Sequence, residues 1–284
     1  MRKTFDTYLT ELAKKDDKIY LLTADMGSFN AFKSSFPDRF INMGIAEPNM
    51  VSVAAGLALE GNKPFIYAVA GFCMHRGFEQ LKFNVCYKNL PVTIINAASG
   101  LCYNRCGAGH YLVDDFSLMR TLPKITVTAP VDVREFKMIL DKAYSRNMPY
   151  YIRTGIDNCP EINFEQYPYI YYKDEKRSTI VTTGFCSQIA SRICKDLPVN
   201  VLHVLTLNRS SLILDIDLKH VNKIMVIEDH IKFGGLGSSI SKPFEHFCLP
   251  DIVDKTAETH EELLKIYGFD DKTLYKKIKL WLNK

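Results

Sequence analysis

Short, almost uninterrupted apolar segments alternate with helical patterns along most of this 284-residue sequence. In the first half, the segments that predict strands lie at 18–25, 64–69, 92–96, 125–128 and 150–153. Apolar residues recur at helical spacing at 5–12, 49–60, 78–86 and 133–144. Strands that are apolar on both faces and alternate with helices are typical of a parallel sheet covered by helices on both sides. The sequence therefore predicts the α/β class.

A second series of the same kind begins near residue 178. Its predicted strands lie at 179–183, 200–204 and 223–227, and its predicted helices lie at 188–195, 237–247 and 272–282. The segment between the two series is rich first in tyrosine and then in charge, which is typical of a linker on a surface. We therefore predict two α/β domains, at 1–160 and 178–284, joined by a linker at 161–177.

Charge and cysteine content exclude several classes of function. The 36 Lys and Arg residues nearly balance the 32 Asp and Glu residues, so the net charge of +4 predicts no basic surface for nucleic acid. No apolar stretch reaches membrane-spanning length, and the first residues lack the apolar core of a secretory signal. The eight cysteines include no C-x-x-C pair and no spacing typical of zinc ligands. We expect reduced cysteines, no metal site within the chain, no nucleic-acid or membrane partner, and a cytoplasmic location.

Glu47 precedes Pro48 at the predicted start of the second helix. Proline suits the first helical position because an N–H group would have no partner there. An acid at this end of a helix has an ordinary structural explanation, since it complements the helix dipole. The residues around Glu47 decide whether it has a further role.

Several short motifs, of which the first contains Glu47, occur in a fixed order. The series runs Gly44-Ile-Ala-Glu47, Ala54-Ala-Gly-Leu-Ala-Leu-Glu-Gly61, Pro64-Phe65, Gly71-Phe72, Gly100-Leu101, Gly107-x-Gly-His110, Leu118-Met-Arg120, Val127-x-Ala-Pro130 and Tyr151-Ile-Arg153. It resembles the pyrimidine-binding (Pyr) domain of transketolase-like thiamine diphosphate enzymes. Further along, Val226-Ile-Glu-Asp-His230 followed by Gly234-Gly-Leu-Gly237 is similar to the C-terminal domain of the same family. The resemblance covers residues 18–240 in unbroken order.

The resemblance implies how a cofactor would be held. Glu47 matches the glutamate that hydrogen-bonds N1′ of the aminopyrimidine, and a dry cleft favours the protonated or proton-sharing carboxyl that this chemistry needs. Phe72 matches the aromatic residue that stacks on the same ring. Val69 and His75 stand where relatives often carry further aromatic residues, and Asp25 belongs to the same expected cofactor-binding set. For His75, the alternative is a histidine on a helix surface.

The resemblance also implies residues that act on the substrate. His110 matches the histidine that lies over the thiazolium and moves protons, a task that suits an imidazole. Arg153 matches a residue that often grips a substrate phosphate, although a carboxylate partner within the fold would explain it equally well. Ser28 and Cys106 are the other expected substrate residues. Cys106 and Ala98 stand where sugar-phosphate transketolases carry polar ligands, so the sequence does not specify the donor or the acceptor.

No Gly-Asp-Gly motif occurs in the sequence. In the family that the chain resembles, this motif and a later asparagine hold the Mg²⁺ that binds the cofactor's diphosphate. We therefore expect the C-terminal subunit of a split transketolase, with Mg²⁺ held mainly by an N-terminal partner subunit that carries Gly-Asp-Gly, in an α2β2 heterotetramer. Gly234-Gly-Leu-Gly237 is the nearest match to a phosphate-binding loop, but after Glu-Asp-His it better fits a tight turn into a helix.

The expected activity is transfer of a two-carbon ketol unit from a ketose or ketose phosphate to an aldehyde or ketone acceptor. One alternative is the β subunit of a 2-oxo acid dehydrogenase E1 component, which shares the Gly-Ile-x-Glu helix start. Another is a non-catalytic regulatory subunit of the same fold, although retention of Glu47, Phe72 and His110 argues against it. A 1-deoxyxylulose-phosphate synthase is less favoured, because that family normally carries both halves in one chain.

Overall fold

The computed structural model describes residues 1–69, 71–155, 161–162, 170–171, 178–208 and 218–284. Up to residue 155 the strands are β1 (Ile19–Thr23), β2 (Phe40–Asn42), β3 (Lys63–Val69), β4 (Thr93–Ala97), β5 (Thr126–Thr128) and β6 (Tyr150–Arg153). The helices are α1 (Arg2–Ala13), α2 (Asn30–Ser35), α3 (Glu47–Leu59), α4 (Phe72–Arg76, Phe78–Gln80 and Leu81–Cys86), α5 (Asp115–Thr121) and α6 (Val133–Ser145). The first and third pieces of α4 are π-helical.

The strands β1 to β6 form one sheet in the order β2-β1-β3-β4-β6-β5, and every neighbouring pair is parallel. Alternate residues of β3 enter different apolar clusters, because successive side chains of a strand point to opposite faces. Phe65 packs in a cluster with Phe5 of α1 and Phe136 of α6. Ile66 packs in another cluster with Met50 of α3. Helices therefore cover both faces of this sheet.

The second sheet contains β7 (Ile170–Tyr171), β8 (Ser178–Thr182), β9 (Asn200–His203), β10 (Lys223–Ile231) and β11 (Glu245–Leu249). Its order is β11-β10-β8-β9-β7, and only the pairing of β7 with β9 is antiparallel among the described strands. The helices of this half are α7 (Gly184–Ile193), α8 (His260–Ile266) and α9 (Asp271–Asn283). Ile189 of α7 and Trp281 of α9 are buried in one apolar cluster with Val201 of β9. The predicted α/β class is confirmed.

One predicted element is wrong. In place of a helix at 237–247, Gly237–Ser239 forms a short 3-10 turn and Glu245–Leu249 forms β11, parallel to β10. Pro243 lies inside this segment, and proline disrupts the interior of a helix because it lacks an N–H group and clashes with the preceding turn.

The predicted linker at 161–177 lies mostly outside the described residues. Its described part includes β7, which pairs with β9 of the second sheet. The domain limits at 160 and 178 stay predictions.

Backbone hydrogen bonds join the two sheets along the edge strand β5. The N–H of Ala129 donates to the oxygen of Leu205 over 2.9 Å. The N–H of Leu207 donates to the oxygen of Val127, also over 2.9 Å. The apolar cluster that contains α3 extends to Val226 of β10. The two halves of the chain thus share backbone pairing and a continuous core.

Most of the described cysteines are buried or half-buried. Cys106 is exposed, and Cys102 and Cys248 are half-buried. The buried cysteines are Cys73, Cys86, Cys186 and Cys194. None of these seven described cysteines forms a disulfide. Cys159 lies outside the described residues. Within the described ranges, no helix is long and apolar enough to cross a membrane.

Candidate functional site

Three segments meet at the carboxyl edge of the first sheet, the edge at which open α/β folds bind ligands. One is the start of α3, which follows β2. The second is the start of α4, which follows β3. The third is the loop at 98–114 between β4 and α5. These segments carry Glu47, Phe72 and His110, to which the sequence analysis gives the central chemical roles.

Glu47 is the first residue of α3 and follows the N-cap residue Ala46. It is buried, with 4% of its surface exposed. Nη1 of Arg76 donates hydrogen bonds to both carboxylate oxygens, at 3.1 and 3.2 Å. The predicted position of Glu47 at the helix start is confirmed, and the structure adds a cationic partner that the sequence analysis did not identify.

Phe72 is the first residue of α4 and is half-buried. The guanidinium carbon of Arg76 lies over its ring, 4.3 Å from the ring centre. The imidazole of His110 approaches the same ring almost perpendicularly, with 5.0 Å between ring centres and 73° between the planes. Arg76 therefore contacts both Glu47 and Phe72, and Phe72 contacts His110. The structure brings the three predicted residues together.

His75 pairs with Asp114, which ends the loop. Its Nε2 lies 3.0 and 3.1 Å from the two carboxylate oxygens. The hydrogen bond with Asp114 raises the pKa of His75, against a smaller lowering effect of burial. Burial disfavours the ionised form of Asp114, but the hydrogen bond and the charge of His75 hold its pKa below the usual range. Both shifts favour a charged pair between α4 and the end of the loop. A contact of His75 with a cofactor stays a prediction.

The loop that carries His110 is closed at its base and held near its tip. Gly100 and Leu112 exchange two backbone hydrogen bonds, of 2.8 and 3.2 Å. The side-chain amide of Asn104 donates to the backbone oxygen of Ala257 over 2.8 Å. Residues from the second half of the chain thus help to fix the position of His110.

Arg153 ends β6 and is buried between two carboxylates, with 4% of its surface exposed. Its Nε donates to Asp115 over 2.9 Å, and its Nη1 donates to Asp229 over 2.8 Å. Burial lowers the pKa of Arg153, but the charges of the two aspartates outweigh that effect and raise it. These contacts are the carboxylate partners that the sequence analysis gave as one alternative. Phosphate binding by Arg153 stays a prediction that none of these contacts supports.

The remaining predicted ligands lie near the same edge of the sheet. Asp25 follows β1 with a positive φ of 51°, and its N–H donates to the side-chain oxygen of Asn42 over 3.1 Å. Asp25 and Ser28 are exposed. Val69 ends β3 and is half-buried, and Cys106 is exposed in the loop. Their roles as ligands stay predictions.

The sequence analysis missed Arg76 and Asp114, which contact predicted site residues. Arg76 follows Phe72 by four residues, and such a spacing places two side chains on the same side of a helix. This spacing was the signal that could have identified Arg76. No local pattern connects Asp114 with His75, because they are 39 residues apart.

A second polar cluster has the residue types of a nucleophilic site but is closed to solvent. Oγ of Ser187 lies 2.7 Å from Nδ1 of His203, and Nε2 of His203 lies 3.0 Å from Oε2 of Glu135. The same oxygen of Glu135 accepts a hydrogen bond from the N–H of Val131 over 2.8 Å. All three side chains of the cluster are buried. Because no substrate can reach Ser187, we assign this cluster to the packing of the two halves.

The Gly234-Gly-Leu-Gly237 turn binds a carboxylate of the protein itself. The N–H groups of Leu236 and Gly237 donate to Glu228 over 2.6 and 3.0 Å. A Cβ atom at Gly235 would lie 2.2 Å from Oε2 of Glu228, so no side chain fits there. The N–H groups of Leu236 and Gly237 are therefore used within the fold and are not available to a phosphate.

Comparison with known proteins identifies the family. A family model described as "Transketolase, pyrimidine binding domain" matches residues 1–160. The chain belongs to the transketolase family. A putative transketolase C-terminal section from Methanocaldococcus jannaschii is 31% identical over 98% of this chain and 95% of its own length. A 1-deoxy-D-xylulose-5-phosphate synthase from Clostridium perfringens is 32% identical over 95% of this chain, and the match spans 44% of that longer protein.

A solved structure supports the same assignment for this transketolase-family chain. The structure is described as a split gene transketolase, inactive beta4 tetramer. It matches with a TM-score of 0.82 and 29% identity, over 99% of this chain and 98% of its own. The resemblance inferred from the sequence motifs is confirmed, and the chain corresponds in extent to the separate subunit of a split transketolase.

Proposed function

We propose that this transketolase-family chain is a catalytic subunit that binds thiamine diphosphate. In this proposal it transfers a two-carbon ketol unit from a ketose or ketose phosphate to an aldehyde or ketone acceptor. The observation that carries the proposal is the contact of both Glu47 and Phe72 with one planar group, the guanidinium of Arg76. A carboxylate and an aromatic face that reach the same flat group can also hold a flat nitrogen heterocycle by its edge and its face.

The residues present therefore fit the aminopyrimidine of the cofactor. When bound, thiamine diphosphate supplies the carbon nucleophile that attacks the carbonyl group of the substrate. Glu47 would hold or share a proton at the edge of the aminopyrimidine, and its burial limits competition from water. Phe72 would fix the orientation of the ring by stacking. Val69, Asp25 and His75 complete the cofactor side of the proposed site.

His110 is the residue that we propose for proton transfer to and from the substrate. It is half-buried and contacts the rings of both Phe72 and Tyr103, with 5.7 Å between the ring centres of Tyr103 and His110. An imidazole is the side chain that enzymes most often use as a general acid or base. Ser28 and Cys106 are the proposed contacts on the substrate side.

The diphosphate and its Mg²⁺ belong in this proposal to a partner subunit. The sequence has no Gly-Asp-Gly motif. Within the part of the chain that the structure describes, no group of three or more His, Cys, Asp or Glu side chains could hold a metal ion. Relatives described as a transketolase C-terminal section and a split gene transketolase match over nearly their full length. We propose an α2β2 heterotetramer, in the cytoplasm, with an N-terminal subunit that carries Gly-Asp-Gly.

The test reconstitutes the subunit pair with thiamine diphosphate and Mg²⁺ and measures ketol transfer from a xylulose phosphate donor. We expect Glu47→Gln to lower kcat by about 100-fold or more, because a positioned acid–base group contributes about 10²–10⁴-fold. Glu60→Gln is the matched control, since Glu60 is exposed at the opposite end of α3. It should keep the activity of the wild type. Ketol transfer that survives Glu47→Gln undiminished contradicts the proposed role of Glu47.

Synthesis of 1-deoxy-D-xylulose 5-phosphate is the second candidate, because the 32% identity to the Clostridium perfringens protein favours it. Product analysis of the same reconstituted pair separates the candidates. A two-carbon unit moved between sugars supports the ketol transferase, and accumulation of 1-deoxy-D-xylulose 5-phosphate supports the synthase. Turnover of a 2-oxo acid with a lipoyl acceptor would instead support the dehydrogenase subunit.

A further inference from the structure

Arg76 alone makes, among the described residues, both contacts that the proposed function assigns to the aminopyrimidine. Its Nη1 lies 3.1 and 3.2 Å from the carboxylate oxygens of Glu47. Its guanidinium carbon lies over the ring of Phe72, 4.3 Å from the ring centre. A guanidinium is planar, donates hydrogen bonds in its plane and stacks on aromatic faces. It therefore presents the same combination of edge and face as an aminopyrimidine.

We propose that Arg76 occupies the aminopyrimidine position in the isolated chain and must turn away before the cofactor binds. The inference rests on the proposed function, because it takes Glu47 and Phe72 as the residues that bind the pyrimidine ring. It adds a residue that competes with the cofactor. The isolated subunit thus closes its own half of the site with a side chain.

The surroundings of Arg76 permit this exchange. Its side chain is 47% exposed, so the guanidinium can turn into water without crossing the core. Glu47 is buried and is, within the described residues, the only carboxylate at ion-pair distance from Arg76. Gly77, which has no side chain, follows Arg76 and ends this piece of α4. Arg76 is therefore the mobile member of the pair, and Glu47 is the fixed one.

The exchange also changes the state of Glu47. An ion pair with Arg76 requires Glu47 as a carboxylate, whereas the proposed contact with the cofactor requires a carboxyl that carries or shares a proton. Burial raises the pKa of the neighbouring Cys73 thiol to about 12, and the charge of Glu47 adds to the rise. Departure of Arg76 would thus open the position and remove the cation that matches the ionised carboxylate.

The test uses the isolated chain and a probe that contains only the competing group, 4-amino-5-hydroxymethyl-2-methylpyrimidine. Calorimetric titration compares the wild type with Arg76→Met, which removes the charge and the planar donors. If Arg76 fills the position in about nine of ten molecules, its removal tightens the apparent affinity about tenfold. Arg76→Lys keeps the charge without the planar group and should give an intermediate affinity.

A matched control removes an exposed arginine elsewhere. Arg192 pairs with Asp271 at the surface, and Arg192→Met should leave the affinity for the probe unchanged. A second readout does not depend on activity: on addition of the probe to the wild type, the Nε–Hε NMR signal of Arg76 should move towards the signals of exposed arginines.

Two outcomes separate this inference from the proposed function. Probe binding that is lost in Glu47→Ala but is unchanged or weaker in Arg76→Met overturns the inference and leaves the proposed function standing. If binding does not depend on Glu47 in any variant, nor for thiamine diphosphate in the reconstituted pair, the proposed function falls and the inference falls with it.

Discussion

His75 and Asp114 show how one contact sets the charge of two residues beside the candidate site. The hydrogen bond with Asp114 is the main cause of the raised pKa of His75. We expect Asp114→Asn to lower the pKa of His75, because an amide supplies no negative charge to stabilise the imidazolium. The histidine Cε1–H signals, followed by NMR over a pH series, measure this change.

Two controls accompany that titration. Glu79→Gln removes an exposed acid from the same helix, α4, and should leave the His75 signal as it is. The exposed His220, in the second half of the chain, provides a reference signal that these substitutions should not change. A pKa of His75 that is the same in Asp114→Asn as in the wild type would show that Asp114 does not set its charge.

Single residues could be predicted where their position along the chain is informative. The sequence correctly predicted that Glu47 begins a helix, that Phe72 follows a buried strand and that His110 lies in a loop. The chemical roles of these residues stay predictions. The pairing of Arg76 with Glu47 joins residues 29 positions apart. Sequence periodicity contains no information about such a contact, because it depends on how two helices lie side by side.

Helices and strands could be predicted where the sequence shows apolar residues at helical spacing or a short continuous apolar segment. Five of the six strands of the first sheet were predicted from such segments, and helices such as α3 and α6 from helical spacing, whereas β2 (Phe40–Asn42) was not predicted. The helix α8 was missed although Thr259 and Glu262 form a capping box at its start, a signal that the sequence contains. The helix predicted at 237–247 does not form, because Pro243 lies inside that segment and disfavours a helix interior.

The turn between β10 and β11 is organised by the buried Glu228. Its carboxylate accepts hydrogen bonds from two N–H groups of the turn and lies 2.7 Å from Nε2 of His246 on β11. Burial lowers the pKa of His246, but hydrogen bonds and charges of Cys248 and Glu228 outweigh it and raise the pKa to about 9. Burial raises the pKa of Glu228, but the His246 hydrogen bond and nearby charges bring it below 4.5.

This pair makes the stability of the second half depend on pH. The contribution of His246 is fully present below its ordinary pKa of 6.5 and is lost as the pH rises through about 9. The contribution of Glu228 is present above 4.5 and is lost as the pH falls further. We expect His246→Gln, which keeps a neutral donor, to lower the free energy of unfolding by about 1–2 kcal/mol at pH 6.

Urea unfolding at two pH values checks this expectation. At pH 10 the difference between His246→Gln and the wild type should be clearly smaller than at pH 6, because His246 is then neutral in both states. His220→Gln, at an exposed histidine, should have no effect at either pH. If His246→Gln lowers the free energy of unfolding equally at both pH values, lost packing and not lost charge explains the effect of the substitution.

At the scale of the whole molecule, buried polar contacts connect the two sheets. Arg153 of β6 pairs with Asp229 of β10, and Glu135 of α6 contacts His203 of β9. Gly100, at the base of the loop that carries His110, also lies against the second half. Its φ is +66°, and a Cβ atom there would lie 2.1 Å from Oδ2 of Asp229. The candidate site therefore depends on how the two halves pack.

The sequence predicted the two series of strands and the family, but it could not predict this interface. Arg153 ends the apolar strand β6 and Asp229 lies 76 residues later within β10, and nothing in either strand indicates its partner. The sequence analysis accordingly left a phosphate and an internal carboxylate open as partners of Arg153. Asp229 becomes a partner of Arg153 only because of how the two sheets lie relative to each other.

The last prediction concerns the stability that this interface provides. Arg153→Met leaves the buried Asp115 and Asp229 without their shared cation. Loss of one partner from a buried ion pair costs about 3–5 kcal/mol, because an uncompensated charge stays in the interior. We expect urea unfolding to show a loss of this size, and addition of Asp229→Asn to recover part of it, since it removes one of the two charges.

Arg192→Met is the control, because Arg192 forms an exposed pair with Asp271 and such pairs contribute about 1 kcal/mol or less. If Arg153 served only to hold a substrate phosphate, Arg153→Met would unfold at the same urea concentration as the wild type. In that case only KM for phosphorylated substrates would rise. A stability loss that Asp229→Asn partly reverses therefore identifies Arg153 as a residue that holds the two halves together, because a phosphate-binding residue at the surface would show no coupling to Asp229.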